Sequence, residues 1–180
     1  MGAPGSQLTI QRIHKTMNFI TYESNLNYTI TLETKDHKAW PFLLSATALE
    51  EFLAAWEAGT LPDSQWTHAA HVAVAACYAF DLAPADALVR TRRGIIHFNN
   101  CVGTPNTDTR GYHETLTRLW SGIIGDFVRA GNFYSRLAAA SAAVERYGQD
   151  RNRHRLYYSF AVATDVNARK NWVPPDRSPL

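Results

Sequence analysis

Trp66-Thr67-His68-Ala69-Ala70-His71 and Gly111-Tyr112-His113-Glu114-Thr115 concentrate three of the chain's seven histidines and one carboxylate in two short runs. His68 and His71, spaced i, i+3, share one face of a helix about one turn apart. A second helix packed with His113 turned inward would bring three imidazoles together, with Glu114 close by. Imidazole and carboxylate are the ligands that zinc, iron, copper and manganese have in common. The spacing therefore points to a divalent first-row transition metal (Zn, Fe, Mn or Cu) held by His68, His71 and His113. Neighbouring residues on a helix point about 100° apart, so His113 and Glu114 do not both aim at one ion. That leaves Glu114 as a general base, or as a carboxylate fixing a histidine tautomer. With Glu114 in place of one histidine the set would instead admit Fe(II) and oxygen chemistry. A plainer reading stands beside these: polar helix starts that satisfy nearby backbone groups, with Glu114 in a first turn paired to Arg118 at i+4.

The chain between the two runs is polar from residue 99 to 111. Loops longer than ~12 residues are uncommon inside a compact domain and often functional. Asn99, Asn106 and Thr107 are candidates for hydrogen bonds to a substrate. Arg110 suits a substrate carboxylate or phosphate, because its planar fork makes bidentate contacts. Tyr112 and Trp66 would wall the site. His14, His37 and His97 have no partner by spacing, and His154 lies among arginines as a solvated residue. Cys101, with His97 four residues earlier, is a lower-ranked nucleophile candidate.

These residues need a frame to hold them, and the hydrophobic period supplies one. Leu49, Phe52, Leu53 and Trp56 mark a first helix, with Thr47 and Glu50 as its capping box. A second helix, capped by Asp63 or Ser64, runs to about Phe80; its many small residues suit a central position. A third begins at Pro84, where the missing N–H costs little. A fourth runs from Tyr112 to about Arg129 and a fifth from Phe133 to Tyr147. Beyond Val173 the prolines forbid a helix, and Trp172 anchors the tail on the body. The expected fold is all-α, a bundle of five to six helices over residues 41–180. Residues 1–40 form an N-terminal extension. Its runs Asn18–Glu23 and Tyr28–Thr34, rich in β-branched and aromatic residues, predict a small β-hairpin turning at 24–27.

Composition agrees with a globular chain: 180 residues, 46% hydrophobic and 19% charged, with a net charge of +2. So mild a charge does not call for nucleic acid, despite the basic and aromatic mixture of Arg151 to Tyr158. No apolar run reaches the ~18–20 residues that span a bilayer. Two cysteines without a CxxC read as free thiols, and a cytoplasmic protein is the expectation.

The W-x-H-x-x-H and G-Y-H-E-T motifs, the Asn99/Gly103/Asn106-Thr107 loop, Trp120 and the closing Trp172-Val173-Pro174-Pro175-Asp176 together resemble a family of small, uncharacterised, mainly helical microbial proteins. The resemblance spans residues 48–180. It implies an all-α fold and a single site shared by the two motifs, and it carries no activity, substrate or cofactor. The functional expectation therefore rests on the residues: a metal-dependent enzyme acting on a small polar substrate through metal-bound water or Lewis-acid chemistry, its reaction type and oligomeric state open. The alternatives are a non-catalytic helical binding module and a metal-free His/Glu acid–base enzyme.

Overall fold

The computed structural model describes residues 40–180 and, before them, three strands: β1 (Leu8–Arg12), β2 (Asn18–Glu23) and β3 (Thr29–Thr34). The turn expected at 24–27, with His14 and His37, lies outside the described residues. The chain divides into two compact units, Met1–Leu44 and Ser45–Leu180. In the first, the strands pair antiparallel in the order β1-β2-β3, with Ile10 opposite Ile20 and Ile20 opposite Leu32. β2 and β3 are the expected hairpin pair. β1 adds a third strand with the same period-two alternation.

The second unit is helical: α1 (Ala46–Glu57), α2 (His68–Asp81), α3 (Pro84–Cys101), α4 (Glu114–Ala130), α5 (Arg136–Tyr147) and the short α6 (Val166–Lys170), with 3-10 turns at Asp63–Gln65, Arg153–Leu156 and Val162–Thr164. α2 is central and packs against α3, α4 and α5. From Val72 to Tyr78 every residue of α2 is buried, which fits a helix apolar on nearly all sides. Ala139, Ala140 and Ala143 of α5 are fully buried, and side chains this small let neighbouring backbones approach. α1 contributes Leu49, Phe52, Leu53 and Trp56, as the period predicts.

The helix starts differ from expectation, and the reason is local. Ser45, extended at φ −158°, caps α1 by accepting from the Ala48 N–H, so Thr47 lies inside the helix. Asp63 and Ser64 belong to a separate 3-10 turn, and Thr67 caps α2 through its hydroxyl on the Ala70 N–H. α4 begins at Glu114, with His113 at the cap position, not at Tyr112. α3 continues to Cys101, which places Asn99 and Cys101 on a helix instead of in the loop.

The C-terminal segment is tied to α4 as Trp172 suggested. Arg118 lies over the Trp172 ring at 4.7 Å, a cation–π contact. The buried Thr115 hydroxyl donates to the Asn171 carbonyl at 2.6 Å and accepts from the Val173 N–H at 3.0 Å. Among the described residues no helix is long and apolar enough to cross a membrane.

Candidate functional site

Trp66, in the short link between the 3-10 turn and α2, organises one wall of the site. Its indole stacks on the His71 ring at 3.8 Å and on Trp56 at 5.0 Å, and leans on Phe98 at 5.4 Å. One carbonyl controls His71. The Thr67 C=O accepts both the His71 backbone N–H at 3.1 Å and the ring Nδ1–H at 2.7 Å. With its proton on Nδ1, the ring presents Nε2 as a bare acceptor. That nitrogen has no hydrogen-bond partner among the described residues. Burial lowers the His71 pKa to about 4, with the Thr67 carbonyl opposing and His68 assisting, so the ring is neutral at physiological pH.

His68, a turn earlier, points its Nε2 at the Tyr147 carbonyl at 3.2 Å and meets the Trp120 ring edge-on at 4.7 Å. Burial pulls its pKa down, the Tyr147 carbonyl opposes, and Arg151 adds to the lowering.

His113 does something else. Its Nδ1 accepts from the Leu116 N–H at 3.3 Å, capping α4, and its Nε2–H donates to the Val162 carbonyl at 3.0 Å. The ring is 7% exposed, and burial pulls its pKa down. Both nitrogens are thereby used, and coordination through either would break one of these bonds. The His68–His71–His113 triangle is therefore not arranged as a ligand set. Among the described residues no group of three or more His, Cys, Asp or Glu side chains is placed to hold a metal ion. The donors do not fit the expected first-row metal.

Glu114 is held by α3, not by Arg118. The Arg92 guanidinium grips both carboxylate oxygens, at 2.5 and 3.0 Å, and the Tyr112 hydroxyl donates to Oε2 at 2.5 Å. Burial works to raise the Glu114 pKa, but the hydrogen bonds from Arg92 and Tyr112 and the Arg92 charge outweigh it and hold it below 4.5. A carboxylate so engaged is a cross-link between α3 and α4 rather than a free base. The pair's contribution is present above the carboxyl's unfolded pKa and lost as pH falls through its lower folded value. We expect Glu114→Gln to lower stability clearly at pH 7, and the gap from wild type to close as urea titrations descend from pH 5 to pH 3. A gap that stays constant across that range would show that the charge is not what matters.

The long loop is sewn together by the residues expected to hold substrate. Asn99 donates to Asn106 Oδ1 at 2.8 Å, the same oxygen accepts the Tyr112 N–H at 2.8 Å, and Asn106 Nδ2 reaches Asn100. Thr107 and Arg110 close a turn: the Thr107 N–H donates to the Arg110 carbonyl, and the Arg110 N–H to the Thr107 hydroxyl. Gly111 sits at φ +77°, where an added Cβ would lie 2.6 Å from the Pro105 carbonyl oxygen. The loop sets Tyr112 and His113 in place, while Asn99, Asn106, Thr107 and Arg110 do not line the cavity beside it. Arg110 is exposed to solvent. His97 does meet Cys101, with Nε2 3.6 Å from Sγ, but this pair lies at the far end of α3 against Gly59.

That cavity holds about 950 Å³. Trp66, Val72, Ile95, Leu116, Trp120 and Ile124 make its apolar walls, and His68, His71 and Tyr112 face it. The elements that give these residues are α2, α3 and α4, so the two histidine-bearing motifs do share a site, though His113 enters it as a structural tie. Among the lining residues that were not anticipated are Arg151, Asn152 and His154, from the polar stretch after α5. Nothing in their spacing marks them, because they reach the cavity only through the chain reversal after Tyr147. Ser121 was also missed. The recurrence of Thr117, Trp120, Ser121 and Ile124 on one face of α4 was the available signal. The Ser121 hydroxyl is buried with no hydrogen-bond partner. Comparisons with protein-family models, curated proteins and solved structures found no match for the chain.

Proposed function

We propose that this protein binds a small organic molecule in the cavity between α2 and α4, recognised by hydrogen bonds to His71 Nε2 and Ser121 Oγ. One observation carries the reading: the buried Ser121 hydroxyl without a protein partner, and His71, whose ring is bonded only through Nδ1, both line a cavity of about 950 Å³ with aromatic and aliphatic walls. A buried polar atom left unpartnered costs about 1–3 kcal/mol, so a ligand that pairs with it recovers that cost and gains orientation. Cavities of a few hundred to about 1,000 Å³ with few, convergent polar groups are the usual form of small-molecule sites. The flat indoles of Trp66 and Trp120 favour a planar, aromatic body.

His71 suits an acceptor better than a proton-transferring base. General bases work best with a pKa near the working pH, and burial holds this ring at about 4. Glu114, locked to Arg92 and Tyr112, gives it no acid–base partner. The metal-dependent reaction expected from sequence keeps one supporting feature, the open Nε2 of His71, and lacks His113, both of whose ring nitrogens are used.

The test is a thermal-shift and calorimetric screen of planar aromatic and heteroaromatic compounds. Binders raise the melting temperature. His71→Phe keeps a ring on Trp66 while removing the acceptor, and it should weaken those binders about tenfold, or about 1.4 kcal/mol. Saturating zinc, manganese or iron(II) should leave the melting temperature of the wild type unchanged. Binding indifferent to both His71→Phe and Ser121→Ala would overturn the proposal. A metal-induced rise seen in wild type and absent in His71→Phe would return the metal reading.

A further inference from the structure

Among the described residues, Arg151 is the one lining residue of this cavity with a permanent charge. No aspartate or glutamate is among its lining residues, and the imidazoles of His68, His71, His113 and His154 complete its polar rim. Nearby acids are committed elsewhere: Glu114 to Arg92, and Asp150 to Arg153 at 3.1 Å. Arg151 has no ion pair among the described residues. Next to it, the His154 ring Nδ1–H donates to the Arg151 carbonyl at 3.1 Å, which leaves Nε2 open. Arg151, Asp150 and His154 all act electrostatically on His68, and of these Arg151 and His154 line the cavity with it, so the three lining groups form one corner. Asn152, between them in sequence, lines the same cavity and adds a neutral amide.

Resting on the small-molecule reading above, we infer that the bound molecule is an organic anion whose carboxylate or phosphate seats against the Arg151 guanidinium, beside His154 and His68, with its planar body between Trp66 and Trp120. A guanidinium accepts such a group through two parallel hydrogen bonds, and charge-assisted bonds are about twice as strong as neutral ones. No carboxylate lines the corner, and Asp150, which acts on His68 from outside the lining, is paired with Arg153. Elsewhere in the lining Val72, Ile95 and Ile124 add apolar surface that would penalise a second charge. The ligand is thus anionic at one end only.

Three probes of matched shape separate the possibilities: 2-naphthoate, its neutral isostere 2-naphthamide, and 2-naphthyl phosphate, titrated by calorimetry into the whole chain. We expect at least one of the two anions to bind about tenfold or more tighter than the amide, with the preference shrinking as salt is raised. Whichever anion binds tighter identifies the head group. Arg151→Gln should abolish the preference, whereas Arg155→Gln, which removes the same charge outside the cavity, should keep it. Equal binding of acid and amide would overturn the anion inference and leave the small-molecule reading intact. A preference that survives Arg151→Gln would also overturn it. So would failure of all three probes to bind at concentrations to about 1 mM, whatever the broader screen returns.

Discussion

His113→Ala loses about 3 kcal/mol of unfolding free energy, read by urea denaturation at pH 7. The imidazole holds two backbone groups: the Leu116 N–H at the start of α4, and the Val162 carbonyl, 49 residues on in sequence, whose other bond is a longer one from the Asp165 N–H at 3.3 Å. Loss of an N-cap costs about 1 kcal/mol. Removing the shorter of the Val162 carbonyl's two hydrogen bonds, with a void where the ring was, adds about 1–3 kcal/mol. For a domain of this size such a loss lowers the melting temperature by about 10 °C. His113→Asn separates the two parts, because asparagine is among the best N-caps but is too short to reach Val162. It should recover about 1 kcal/mol of the loss. The pH dependence has a definite sign. Burial lowers the His113 pKa, so its contribution is complete above the unfolded value of 6.5 and is lost as pH falls through the lower folded value. The wild-type advantage over His113→Ala should therefore narrow below pH 6. A loss under about 0.5 kcal/mol would mean that the ring is not the tie between α4 and the segment at Val162.

Gly94→Ala is expected to destabilise by about 2 kcal/mol even though alanine is the better helix former. An added Cβ would lie 2.1 Å from Trp56 Cη2, and Trp56 has no exposed surface. Overpacking of this kind costs about 1–3 kcal/mol or somewhat more, against about 1 kcal/mol gained in helix propensity. The displacement does not stop at the core, because Trp56 stacks on Trp66 and Trp66 on His71. Ligand binding at the cavity and the intrinsic indole fluorescence should change together with stability. Trp56→Phe, by shortening the ring, should partly rescue Gly94→Ala, and a double-mutant cycle measures the coupling. Additive losses in the double variant would show that the two residues do not meet.

Much of the helical frame was legible along the chain. Leu49, Phe52, Leu53 and Trp56 repeat at the helical period and are all buried, and the small residues of α2 did mark the central helix. The caps were less legible, because several serines, threonines and aspartates stand near each start. Which of them caps depends on the backbone angle at that residue, and Ser45 and Thr67 hold the extended conformation. Glu114 shows the same limit in its pairing. Arg118 is the neighbour that helix spacing supplies, but α3 brings Arg92 to the carboxylate and Trp172 takes Arg118. A glycine in mid-helix, as at Gly94, announces a close approach without naming what approaches.

By itself the sequence determined that this chain carries a bundle of amphipathic helices, and that the tryptophan–histidine run and the G-Y-H-E-T run stand at two helix starts. Periodicity and capping residues are local properties, and local properties survive in one dimension. The use of each imidazole was decided only in three dimensions. His113 is consumed by a carbonyl 49 residues away, His68 by one 79 residues away, and His71 by the carbonyl of Thr67 just before it. A ring nitrogen is free for chemistry only if no donor or acceptor folds against it, and that depends on how distant segments pack. It leaves His71 Nε2 open where a ligand can reach it, in a cavity that His68, His154 and Arg151 also line.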